Sequence, residues 1–100
     1  MKFLVMWELD LASPRREMMH AVLKMPDYTK RIREMGKLVS RYHLVGRHGG
    51  AWIYDVDSNE ELERILAMAP VFNYARYQVH PLAEMDTPTT VLQGAGESKA

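Results

Sequence analysis

Arg41 and His43 stand two residues apart in "LVSRYHLV", and Arg47 and His48 follow as neighbours in "GRHGGAWIYDV". Imidazole changes charge near neutral pH and is the natural carrier of a proton at a carbon or oxygen centre. A guanidinium beside it suits the anchoring of an anionic substrate group. Tyr54 adds a hydroxyl that could donate to an oxyanion formed when a proton leaves carbon. Trp7, Trp52 and Tyr77 would supply aromatic walls for substrate binding. His43, His48 and Tyr54 are therefore the catalytic candidates, and Arg41, Arg47, Trp7, Trp52 and Tyr77 the substrate-binding ones. Each has a plainer reading beside this one: Arg41 and His43 as edge-strand residues facing water or a partner, Arg47 and His48 as a polar hairpin end, the aromatics as core or interface.

Composition removes several other chemistries. Without cysteine there is no disulfide, no thiolate nucleophile and no zinc site built on sulfur. Four histidines without a carboxylate cluster in the sequence argue for no metal. No glycine-rich phosphate loop leads from a strand into a helix, so nucleotide binding is not expected. Thirteen basic side chains balance thirteen acidic ones, which leaves no electrostatic footprint for nucleic acid or an anionic membrane. The opening "KFLVMW", closed by Glu8 and Asp10, is too short for a signal-peptide core or a membrane span, so a cytoplasmic location is expected.

Positioning these residues falls to six elements. Residues 2–9 read as a first strand buried on both faces. Ser13 and Pro14 read as the N-cap and first position of a helix. Met18, Val22, Met25, Ile32 and Met35 give it one apolar face, Pro26 breaks or kinks it near residue 25, and Gly36 ends it. Residues 37–47 and 51–56 read as a hairpin, with Gly49 and Gly50 taking positive φ in its tight turn. "SNEELERILAMAP" is a capped helix with Leu62, Ile65, Leu66 and Ala69 on one face, a Glu60–Arg64 pair on another, and a stop at Pro70. "NYARYQVHPL" alternates as a last strand, with Arg76 and His80 on its wetter side. Beyond Ala83 the composition turns to Thr, Gly, Ser and Pro, predicting a folded domain over 1–85 and a tail over 86–100 that is flexible or docks on a neighbouring subunit.

The order βαββαβ predicts an α+β, ferredoxin-like fold: a four-stranded antiparallel sheet with two helices on one face. The other face would leave part of the first strand's apolar set bare, a patch that a homo-oligomer would cover. Eight methionines suit either an irregular core or a cavity for a bulky apolar ligand.

Three stretches, Gly36, "LVGRHGGAWIYDVDSNEELERIL" and "APVFNYARYQVHPL", are similar to the muconolactone delta-isomerase family, over roughly residues 2–85. Gly46 with Asp55 and Val56, and Pro70 with Phe72 and Tyr74, are the most specific points of the match. The resemblance implies a dimeric α/β barrel, assembly into dimers and larger rings such as decamers, no cofactor, and a double-bond shift in an unsaturated lactone bearing a carboxylate. Met18, Met19, Met25, Pro26, Gly49 and Gly50 depart from the family's pattern and imply a wider or reshaped pocket.

The activity expected is thus a cofactor-independent isomerase acting on a cyclic unsaturated carbonyl or lactone compound. Within the same superfamily, a polyketide-type cyclase or a cofactor-free monooxygenase is the alternative; outside it, a non-catalytic small-ligand-binding oligomer. The same element order also occurs in RNA-binding modules. Gly50 and Asp55, however, stand where "GGAWIYD" would need base-stacking aromatics.

Overall fold

The computed structural model describes residues 1–85, so the tail expected over 86–100 lies outside the described residues. Strand β1 (Lys2–Leu9) is followed by helices α1 (Arg15–Leu23) and α2 (Met25–Glu34), then by strands β2 (Leu38–His43) and β3 (Gly49–Asp55). Helix α3 (Asn59–Ala67), a short 3-10 turn (Phe72–Tyr74) and strand β4 (Ala75–Leu82) follow among the described residues. The sheet runs β2-β3-β1-β4 with every neighbouring pair antiparallel. This is the expected ferredoxin-like α+β fold.

Local chemistry explains where the helices stop. Pro26 has no amide hydrogen for the Val22 carbonyl and its ring would clash there, so one helix cannot run through. The chain breaks at Lys24, whose N–H turns back to the Ala21 carbonyl (3.1 Å), and restarts with Pro26 in the first turn of α2, where no hydrogen is required. Gly36 then takes φ +74°, with Gly36 N–H on Arg33 O and Lys37 N–H on Ile32 O, a two-bond helix stop that needs a left-handed residue. Ser58 caps α3 by accepting from the Glu61 N–H (3.1 Å), while the Glu61 carboxylate accepts from the Asp57 N–H (3.1 Å).

Several expectations need correction. Helix α1 begins at Arg15, with Pro14 rather than Ser13 at the cap and no side-chain hydrogen bond to it. Met35 is exposed and Glu60–Arg64 makes no ion pair, whereas Tyr28 and Thr29 are buried. α3 ends at Ala67, ahead of Pro70. Of the methionines only Met18 is fully buried; Met19, Met35, Met68 and Met85 lie exposed, so they are not core filler.

Gly49 and Gly50 do not sit in the turn. Both belong to β3, and positive φ falls on Gly46 (+80°) instead, in a turn closed by Arg47 N–H on Leu44 O (3.1 Å). The two glycines answer to close approach. A Cβ on Gly49 would strike the Trp7 carbonyl oxygen, and one on Gly50 would lie 2.7 Å from Trp52 Nε1 and 3.0 Å from Trp7 Nε1.

Strand β1 is sealed on one face only. Phe3 and Val5 are buried under the helices, while Leu4 and Met6 on the opposite face are half-buried. The helix-facing side carries the core, in which Phe3, Val5, Tyr54 and Val56 meet Tyr28 and Ile32 of α2 and Leu62, Ile65 and Leu66 of α3. Burying each such side chain stabilises the fold by about 1.5–3 kcal/mol.

Candidate functional site

One extra residue decides what β2 presents to the helices. Leu38 pairs with Tyr54, but Ser40 pairs with Ile53, so Val39 is unmatched and the strand bulges. Side chains alternate along a strand, and without the bulge Ser40 and Tyr42 would share Leu38's face. With it, Arg41 comes opposite Trp52 and His43 opposite Gly50, and residues directly paired share a face. Arg41 and His43 therefore lie on the helix-facing side, and Tyr42 is turned to the open side, where it is 65 % exposed.

The register carries that level straight across the sheet, from His43 to Gly50, Trp7 and Tyr77. Because Gly50 has no side chain, two indoles fill the space above it. Trp7 and Trp52 meet edge to face, with centroids 5.7 Å apart and planes at 88°, an arrangement worth about 0.5–1.5 kcal/mol beyond burial. Trp7 Nε1 is buried with no hydrogen-bond partner among the described residues.

Over this floor opens a pocket of about 690 Å³. Its base is Trp7, Trp52 and Gly49; Leu9, Val22, Met25 and Val71 extend the apolar wall. Arg41 and His43 enter from β2, Arg47 and His48 from the hairpin turn. Facing them, α2 presents Thr29, Lys30, Arg33 and Glu34. Arg47 stands 3.9 Å from the Glu8 carboxylate, whereas Lys30, Arg33 and Arg41 have no ion-pair partner among the described residues. Among the lining residues Lys30, Arg33, Arg41 and Arg47 outnumber the carboxylate of Glu34, so the pocket joins an aromatic floor to a cationic rim. Such a site favours a flat, largely apolar molecule with an anionic group.

The structure thus brings together six of the eight candidates named from sequence: His43, His48, Arg41, Arg47, Trp7 and Trp52. Tyr54 and Tyr77 do not line this pocket. Tyr54 lies in the core, 3.5 Å from the Tyr28 hydroxyl, and burial pushes its phenol far above the ordinary tyrosine range. Tyr28 in turn donates to the Ile65 carbonyl at 2.8 Å, tying α2 to α3, and burial raises its phenol too. Tyr77 stacks on Phe72 at 5.7 Å beside a separate groove between α3 and β4.

Sequence reasoning missed Thr29, Lys30, Arg33 and Glu34. A usable signal was present, since steps of four from Met25 reach Thr29 and Arg33, and from Pro26 reach Lys30 and Glu34. What hid them was the assumption that α2's apolar stripe ran to Met35. No group of three or more His, Asp or Glu able to hold a metal occurs among the described residues, and none of their helices is long and apolar enough to cross a membrane.

Known proteins share the family and the fold of this chain. The family model described as muconolactone delta-isomerase matches residues 1–87. Muconolactone delta-isomerase 1 of Acinetobacter lwoffii is 38 % identical over 55 residues, covering 55 % of this chain and 57 % of that protein. The muconolactone delta-isomerase of Cupriavidus pinatubonensis is 35 % identical over 57 residues, covering 57 % of this chain and 62 % of its own length. The aligned stretches thus span about three-fifths of these relatives. A crystal structure of muconolactone isomerase superimposes with a TM-score of 0.76 at 20 % identity, over 87 % of this chain and 93 % of that one, which shows a shared fold. With its fold and 87 of its residues matched, this chain belongs to the muconolactone delta-isomerase family.

Proposed function

We propose that this chain is a cofactor-independent isomerase that moves a proton, and with it a double bond, on a cyclic unsaturated carbonyl or lactone compound bearing an acid group. The observation that carries the reading is the meeting of His43 and His48 with Arg41, Arg47, Lys30 and Arg33 over one aromatic floor, in a member of this family.

The chemistry follows from the parts. A base removes a proton from the carbon next to the carbonyl, and the C–H electron pair moves into the conjugated system to give a dienolate. The negative charge rests on the carbonyl oxygen, and a proton exchanged with water through the histidines is delivered at the far end, so a double bond has migrated. No oxidant, reductant or group carrier enters the balance. His43 and His48 are the proton carriers, and Arg41 and Arg47 hold the acid group and the developing charge in a site walled by Trp7 and Trp52. Tyr54 and Tyr77, placed elsewhere, are left out of this assignment.

The open sheet face supports a homo-oligomer. Leu4, Met6, Ala51 and Ile53 form a half-buried apolar strip, and Tyr42 stands beside it. A second copy laid on this face would cover the strip.

Turnover in heavy water tests the activity. The product should carry deuterium at the allylic carbon, and His43→Ala or His48→Ala should lower the rate by about 100- to 10,000-fold. Oxygen uptake coupled to turnover would replace the reading with a monooxygenase. Saturable binding without any exchange would leave a ligand-binding protein.

A further inference from the structure

The pocket is roomier than a single ring requires. Its volume of about 690 Å³ falls in the middle of the ~300–1,000 Å³ that holds drug-sized ligands. Two features of this chain keep it wide. The break at Lys24 sets Met25 and Pro26 at the wall in place of a continuous helix face. Trp7 and Trp52, meeting at 88°, offer two aromatic surfaces rather than one narrow slot. The cations stand on opposing elements, Lys30 and Arg33 on α2 and Arg41 on β2, so an acid group can be held at the rim while the body of the ligand lies on the floor.

We infer that the substrate has a flat body of at least two fused or linked rings with an acid group at one end. This rests on the pocket being the substrate site of the proposed isomerase; the size and charge preference does not depend on the proton step. The extra ring is recognised by apolar contact with the two indoles, and the acid by the cationic rim.

Calorimetric titration of the full chain with benzoate, 2-naphthoate and 2-naphthamide tests it without any need for turnover. The second ring removes roughly 60 Å² of apolar surface from water, so 2-naphthoate should bind about ten-fold tighter than benzoate. It should also bind tighter than 2-naphthamide, an advantage that shrinks in Arg41→Ala. In Val22→Phe the added ring fills the wall, and the two-ring preference should vanish while benzoate stays within about three-fold of its original affinity. Equal or tighter binding of benzoate overturns the size inference, and equal or tighter binding of the amide overturns the acid. A two-ring preference with no deuterium exchange in the turnover assay removes the isomerase reading alone. Exchange on a one-ring lactone without that preference removes this inference alone.

Discussion

The same side of one sheet supports two unlike regions. Beneath Phe3, Val5 and Tyr54 the helices close down, and polar groups that enter are answered within the protein, as Tyr28 answers the Ile65 carbonyl. At Arg41, beside Trp52, and two strand positions further on at Trp7 and His43, the helices stand off; Trp7 Nε1 has no partner and three cations have no counter-ion among the described residues. An unanswered buried donor costs about 1–3 kcal/mol, so the second region is held at some expense of stability that the first supplies. The contrast separates residues whose polar groups are answered within the protein from residues whose polar groups have no partner among the described residues.

Substitution should separate them most sharply at Ile32 and Arg41. Ile32 is 1 % exposed, and Ile32→Ala should lower unfolding free energy by about 2–5 kcal/mol in urea titrations. Arg41→Ala should change stability by less than about 0.5 kcal/mol, yet weaken binding of an aromatic carboxylate. Equal stability losses in the two variants would erase the distinction.

Gly50 lies on the border between the regions. Gly50→Ala puts a methyl 2.7 Å from Trp52 Nε1 and 2.8 Å from the Tyr42 carbonyl, and should destabilise by about 1–3 kcal/mol while shifting the tryptophan emission. An unchanged spectrum with full stability would show that the indoles do not rest on this glycine.

Tyr28→Phe sharpens the closed side. It leaves the Ile65 carbonyl unanswered and should cost about 1–2 kcal/mol, with no change in ligand affinity. A loss of affinity would tie the Tyr28–Tyr54 pair to the pocket after all.

The smallest effect lies outside both regions, where Lys37 reaches Glu61 at 3.0 Å and Asp57 at 3.4 Å, with the Lys37 and Glu61 side chains 22 % and 24 % exposed. The hydrogen bond from Lys37, then that from the Asp57 N–H, holds the Glu61 carboxyl below its ordinary value of 4.5. Its stabilisation is therefore full above that pH and fades as pH falls through the lowered value. The Lys37 ammonium is held above its ordinary 10.5 by the Glu61 hydrogen bond, so its share is full below that pH and fades as pH rises through the raised value. Urea midpoints of the parent chain and Glu61→Gln should differ slightly at neutral pH and converge in acid. A constant difference across that range would remove the pair from the account.

The elements were legible because each rests on neighbours in the chain. Pro26 forbids one continuous helix, Gly36 permits the left-handed stop, and Ser58 with Glu61 caps α3, all through contacts within five residues. The rim was half legible: Arg41 and His43 had to share a face, because strand side chains alternate, but which face was open. Lys30 and Arg33 were hidden because an exposed-looking helix side becomes a pocket wall only when a strand stands across from it.

By itself the chain's residue order determined the βαββαβ succession, the helix break and the pairing of Arg41 with His43, since these follow from backbone sterics and alternation over short separations. Tertiary structure alone decided that Val39 would bulge and turn those two side chains inward, and that Gly49 and Gly50 would lie within a strand, with Gly50 beneath two indoles. Both outcomes depend on register against strands distant in sequence, where a shift of one residue exchanges the faces.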